Sequence, residues 1–143
     1  MKKLLALLLV CVLALGFTAC GGGGEEEAAP AAKTLEEKYG INYTAAGEQV
    51  MSSERASKDV LIETRDVWLE GKMSFVLDEN PKTYEDFVEH IGCDASVYSY
   101  SAEDAERSFT WIAEGDETAK FMAVFWETPQ GWVLYTMGST NLA

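Results

Sequence analysis

Basic residues are scarce in this chain. Only 11 Lys+Arg stand against 24 Asp+Glu in 143 residues, a formal net charge of -13. A surface of that sign is repelled by phosphate backbones, which argues against a nucleic-acid partner. Histidine occurs once, at His90, and cysteine three times, at Cys11, Cys20 and Cys93. Their spacing fits no zinc site. The sequence has no Gly-x-Ser-x-Gly, no calcium-loop pattern of alternating acids and no glycine-rich phosphate loop before a helix. Long apolar runs are missing as well. Leu4 to Gly16 is thirteen residues, short of the roughly 20 that span a bilayer as a helix. The length points to one domain of ordinary size and not to a two-lobed transport receptor or a multidomain enzyme.

What is present at the N-terminus has the layout of a secretory signal. Met1-Lys2-Lys3 is basic, Leu4 to Gly16 is apolar, and Phe17-Thr18-Ala19-Cys20 leads to a cysteine. The stretch Gly16-Phe17-Thr18-Ala19-Cys20 resembles a bacterial lipobox, with Phe17 and Thr18 in place of the commoner Leu and Ala or Ser. That resemblance implies that residues 1–19 are a signal peptide and that Cys20 becomes the first mature residue. It also implies that the Cys20 thiol carries diacylglycerol with palmitate-type chains. Two acyl chains hold a protein stably at a bilayer where one is marginal. The expected location is the extracytoplasmic face of a bacterial membrane, the cell surface if the cell is Gram-positive. Cleavage takes Lys2, Lys3 and Cys11, so 9 basic residues face 24 acidic ones, a net of -15. With Cys20 acylated, Cys93 has no disulfide partner, and stability has to come from a packed core.

Residues 20–33 read as a lipidated cysteine and flexible tether, and residues 34–143 as a single α+β domain. Gly21 to Gly24 and the Glu/Ala/Pro stretch after them cannot build a core. Thr34, Glu37 and Gly40 bracket a short helix with capping-box chemistry. From Ser53 to Leu69, residues Ala56, Val60, Leu61, Thr64, Val67 and Trp68 recur near the helical period, predicting a helix over 53–69. The competing reading makes strands of Val60–Ile62 and Val67–Leu69. Residues 73–77 alternate as a strand does. Thr83 N-caps a helix over 83–91, whose Tyr84, Phe87, Val88 and Ile91 form one apolar stripe and which Gly92 ends. Ser96–Tyr100 and Arg107–Ala113 alternate, Lys120–Glu127 is apolar on both sides as a mid-sheet strand is, and Trp132–Met137 follows. Joined by short polar turns, they predict a four-stranded antiparallel meander over 96–137 covered on one face by that helix.

The helix Thr83-Tyr84-Glu85-Asp86-Phe87-Val88-Glu89-His90-Ile91-Gly92, followed by a meander containing Phe109-Thr110-Trp111, resembles the module of beta-lactamase inhibitor proteins. It is also similar to small lipoproteins of outer-membrane assembly that share it. The similarity covers about residues 80–143 and implies secretion or lipid anchoring, with function by protein contact through an exposed sheet face.

No catalytic residue, metal ligand or cofactor site is assigned. His90 sits in the last turn of its helix, where a cation complements the dipole. Cys93 reads as a small residue at the helix-to-strand junction, and Asp94 beside it disfavours a reactive thiolate. Acidic pairs recur at Asp78-Glu79, Glu85-Asp86, Glu103-Asp104 and Asp116-Glu117, as chance provides among so many carboxylates. Aromatics are the remaining signal. Two arrangements stay open: the 53–69 helix covers the second sheet face and all rings are core, or an aromatic strip is exposed as a binding surface. The second nominates Trp111, Trp126, Tyr98 and Tyr135 as binding residues. The function expected is a non-catalytic protein- or ligand-binding module of unspecified ligand, tethered through the Cys20 lipid, with a protein of the cell envelope as one candidate partner. A small envelope hydrolase using a carboxylate pair is the alternative.

Overall fold

A computed structural model describes residues 33–69, 80–129 and 131–143. Residues 1–32, with Cys20, and the strand expected at 73–77 lie outside the described residues. Lys33–Ala143 forms one compact α+β unit, mostly sheet.

Local chemistry sets the helix ends. In α1 (Leu35–Tyr39) the Thr34 side chain accepts from the Glu37 amide, Glu37 answers the Thr34 amide, and Gly40 closes the helix at φ 67°. Thr83 and Asp86 make the same reciprocal pair at the start of α3 (Tyr84–Ile91), which Gly92 ends at φ 88°. Both left-handed ends suit glycine because no Cβ meets the carbonyl. Between them α2 runs from Lys58 to Leu69. It is a helix and not the alternative pair of strands, but it starts five residues later than the expected Ser53. The reason is a competing backbone partner. The Ala56 amide donates to the Ile112 carbonyl at 3.1 Å and the Ala56 carbonyl accepts from Glu114 at 2.8 Å, a parallel bridge to the sheet. Residues bonded outward in this way cannot close helical hydrogen bonds.

Five strands form one antiparallel sheet in the order β1-β2-β3-β4-β5. They are β1 (Gly47–Val50), β2 (Val97–Ser101), β3 (Glu106–Ala113), β4 (Asp116–Thr128) and β5 (Gly131–Thr140). The last four are the expected meander. The extra edge strand, β1, corrects the count from four to five. Its four residues, GEQV, lie exposed or half-exposed, so it is held by backbone pairing to β2 and carries no apolar alternation to read.

Register divides the side chains between two faces. One set of cross-strand rows contains Tyr98–Phe109–Ala123–Met137, Tyr100–Arg107–Phe125–Leu134 and Trp111–Phe121–Ser139. This inner face carries the core. Phe87 of α3 is fully buried on it, with ring centroids 5.6 Å from Trp111, 5.9 Å from Phe121 and 6.2 Å from Phe125. Trp68 of α2 lies 4.7 Å from the same Phe87 ring. Both helices therefore pack on one face. This corrects the arrangement in which the 53–69 helix covers the second face: its apolar stripe is bound to the ring that α3 has already placed on the inner side.

A polar hub fastens this layer. Asp94, buried between α3 and β2, accepts hydrogen bonds from Lys38, Tyr39 and, at 2.7 Å, Tyr84. Burial alone would raise its pKa, but these three donors outweigh that and hold it below the ordinary carboxylate value. The hub ties α1 to the start of α3.

Truncating Phe87 removes the contact on which both helices converge. Phe87→Ala is expected to cost about 3–5 kcal/mol in urea titration, the scale for emptying a fully buried phenylalanine site. A loss under about 1 kcal/mol would break the one-sided packing described here.

Candidate binding face

The second set of rows faces away from the helices. It runs Val97–Thr110–Met122–Gly138, Ser99–Ser108–Val124–Thr136 and Ser101–Glu106–Trp126–Val133. No described element covers it. β1 extends the face with Val50, which is 78% exposed, and Met122 is 37% exposed. Most of the other residues on this face are small and half-buried. The result is a level platform with hydroxyls along its middle.

Trp126 and Tyr135 stand out from it. Their rings stack with centroids 3.8 Å apart and planes 6° from parallel. The Trp126 indole N–H donates to the Glu106 carboxylate, its cross-strand neighbour. The stack depends on an irregularity. Val124 pairs with Thr136 while Phe125 pairs with Leu134, so Tyr135 is an extra residue on β5. A bulge of this kind opposes two residues to one and re-aims the side chain between them. Here it turns Tyr135 onto the outer face beside Trp126, next to Thr136.

At the other end of the platform lies a depression of about 330 Å³ lined by Val97, Thr110, Met122 and Gly138. Gly138 completes the row from Val97 and contributes no side chain. A Cβ built there would meet only the Met122 Cε at 3.9 Å, an ordinary contact. The depression is thus a site that a side chain could fill and does not.

Of the four aromatic residues nominated as a binding strip, Trp111 and Tyr98 are fully buried on the inner face. They belong to the core and not to an accessible patch, because each shares the strand phase of Phe109, which packs on Tyr84. Trp126 and Tyr135 share the outer face and touch. Cys20 lies outside the described residues. The Cys93 thiol is half-buried, and burial with the charges of Glu54 and Asp94 pushes its pKa up, away from a nucleophilic thiolate. His90 packs its ring 4.8 Å from Trp68. The acidic pairs within the described residues have local work: Asp86 caps α3, Asp104 bonds Ser101, Asp116 bonds Thr118 and Glu117 bonds Arg55. Among the described residues no group of three or more His, Cys, Asp and Glu is placed to hold a metal.

The bulge at Tyr135, the gap at Gly138 and the placement of Arg107 were missed in the sequence. Arg107 alone had a readable signal, since it keeps the strand phase of Phe109 and Trp111.

No protein family model matches the chain, and no curated protein or solved structure matches it.

Because the space at Gly138 is open and its backbone is ordinary strand, Gly138→Val should place a side chain in the depression without disturbing the core. Its stability in urea is expected to equal or exceed that of the parent, since valine suits a strand better than glycine. A loss above about 1 kcal/mol would mean that the depression is not open space.

Proposed function

We propose that this chain is a non-catalytic binding module held at the extracytoplasmic face of a bacterial membrane by diacylated Cys20, and that it meets a protein of the cell envelope through its outer sheet face. The observation that carries the reading is the stacked Trp126–Tyr135 pair, set on rigid strands of a face that no described element covers. Large aromatics at the centre of a contact contribute most of its binding energy while losing little side-chain freedom. Placed on strands and pinned by Glu106, the pair is preorganised for contact. The small hydroxyl residues around it let a partner approach closely. The mature net charge of -15 disfavours docking on anionic headgroups, leaving the lipid on Cys20 as the membrane contact.

Sedimentation of purified chain with isolated cell envelopes tests the reading. Replacing both Trp126 and Tyr135 by Ala should weaken saturable binding by about 2 kcal/mol or more, roughly thirtyfold, and Gly138→Val should weaken it less. Unchanged binding by the double variant would contradict the outer-face reading. In intact cells Cys20→Ala should leave the protein as uncleaved precursor or release it from the membrane fraction. Unaltered processing and attachment would contradict the anchor.

A further inference from the structure

The inner face holds a cation, Arg107, whose side chain has no hydrogen-bond or ion-pair partner among the described residues. Arg107 occupies the row Tyr100–Arg107–Phe125–Leu134. Rings surround it. Its guanidinium carbon lies 4.5 Å from the centroid of Trp132, 5.6 Å from Phe109, 5.8 Å from Tyr43 and 5.9 Å from Phe125. Aromatic faces attract a cation, but they accept no strong hydrogen bond from its N–H groups. The Nε–H is buried and has no acceptor. The ion pairs of the described residues are Lys38–Asp94, Arg55–Glu117, Lys58–Asp116 and Arg65–Asp66, and none includes Arg107.

A buried guanidinium is ordinarily paired, because it brings five donors in a fixed fork and loses its hydration on burial. Burial lowers the pKa of Arg107, while the fields of Tyr98, Tyr43, Glu85 and Glu127 oppose that shift. Neither glutamate bonds to it. Among the described residues the buried polar side-chain atoms without a partner are Arg107 Nε and His90 Nε2. Of the two only the guanidinium carries an obligate charge, so the acceptor it lacks is a gap that an anionic ligand would close.

We propose that Arg107 anchors a binding site for a monoanionic carboxylate carried on an apolar body. The planar fork matches a carboxylate through two parallel N–H···O bonds. Arg107, Tyr43, Tyr100 and Trp132 are each only half-buried, so the cradle reaches the surface. The Tyr100 and Trp132 rings meet edge to face at 6.5 Å and offer the apolar body a wall. Charge selects a monoanion. Glu85 and Glu127 set a negative field around the site, which opposes a phosphate dianion about twice as strongly as a carboxylate. A free aryl carboxylate and the C-terminal carboxylate of a peptide ending in an aromatic residue share this chemistry. The site lies on the face opposite Trp126 and does not depend on the binding proposed there.

The test titrates the full chain with benzoate, with N-acetyl-phenylalanine, with its carboxamide and with inorganic phosphate, following the indole signal of Trp132 by NMR. Saturable shifts with benzoate and N-acetyl-phenylalanine are expected. Binding of both assigns a free carboxylate as sufficient, and binding of the amino-acid derivative alone assigns a chain terminus. The carboxamide should bind at least about tenfold more weakly. Arg107→Lys keeps the charge without the fork and should also lose about tenfold, and Arg107→Met should abolish the shift. The parent comparison of acid with carboxamide needs no variant, so a misfolded variant leaves the test intact. A saturable shift with neither carboxylate, equal binding of acid and carboxamide, or tighter binding of phosphate would each overturn the proposal.

Discussion

Everything in this domain turns on Phe87. Its ring is the point where α2, α3 and the two central strands meet, through Trp68 on one side and Trp111, Phe121 and Phe125 on the other. A helix of eight residues has no stability of its own in water. It exists because Phe87, Tyr84 and Ile91 leave water together. Once α3 has chosen a face, α2 follows, since its own large aromatic residue completes the same cluster. A sheet with α2 and α3 on one side and none of the described elements on the other is the direct consequence.

That asymmetry sorts the charged and aromatic residues into different roles. Asp94 is buried and receives three donors, so its charge is stabilised and serves the attachment of α1. Arg107, on the same side, is ringed by aromatic faces, and its buried Nε–H has no acceptor among the described residues. Across the sheet, Trp126 and Tyr135 stack on each other, and the Trp126 indole N–H donates to Glu106. A stacked pair loses less to water exposure than two separate rings.

Helix boundaries set by side chains close in sequence were legible. Thr34, Glu37, Thr83, Asp86, Gly40 and Gly92 each act within their own turn, and their roles follow from local chemistry. The alternation of Arg107 to Ala113 and the turns at Gly115 and Pro129 likewise carried the meander. The remainder depended on partners far along the chain. Ala56 leaves the helical pattern because Ile112 and Glu114 offer it backbone bonds, and nothing near Ala56 announces them. β1 pairs through its backbone and writes no pattern in its side chains. For the candidate face, each strand showed which residues share a side, but not which side the helices take; register decides that, and a slip by one residue exchanges the two sets. Trp111 and Tyr98 were nominated with Trp126 and Tyr135 for that reason. The bulge that brings Tyr135 beside Trp126 exists only in the pairing of β4 with β5.

The central claim is that the two sheet faces differ, one dry beneath the helices and one open with Trp126 on it. Acrylamide quenching of two variants, one retaining only Trp126 and one retaining only Trp111, measures this directly, with the other tryptophans replaced by phenylalanine. The account predicts that Trp126 is quenched several-fold more efficiently than Trp111, which is fully buried. Equal shielding of the two indoles, or readier quenching of Trp111, would contradict it.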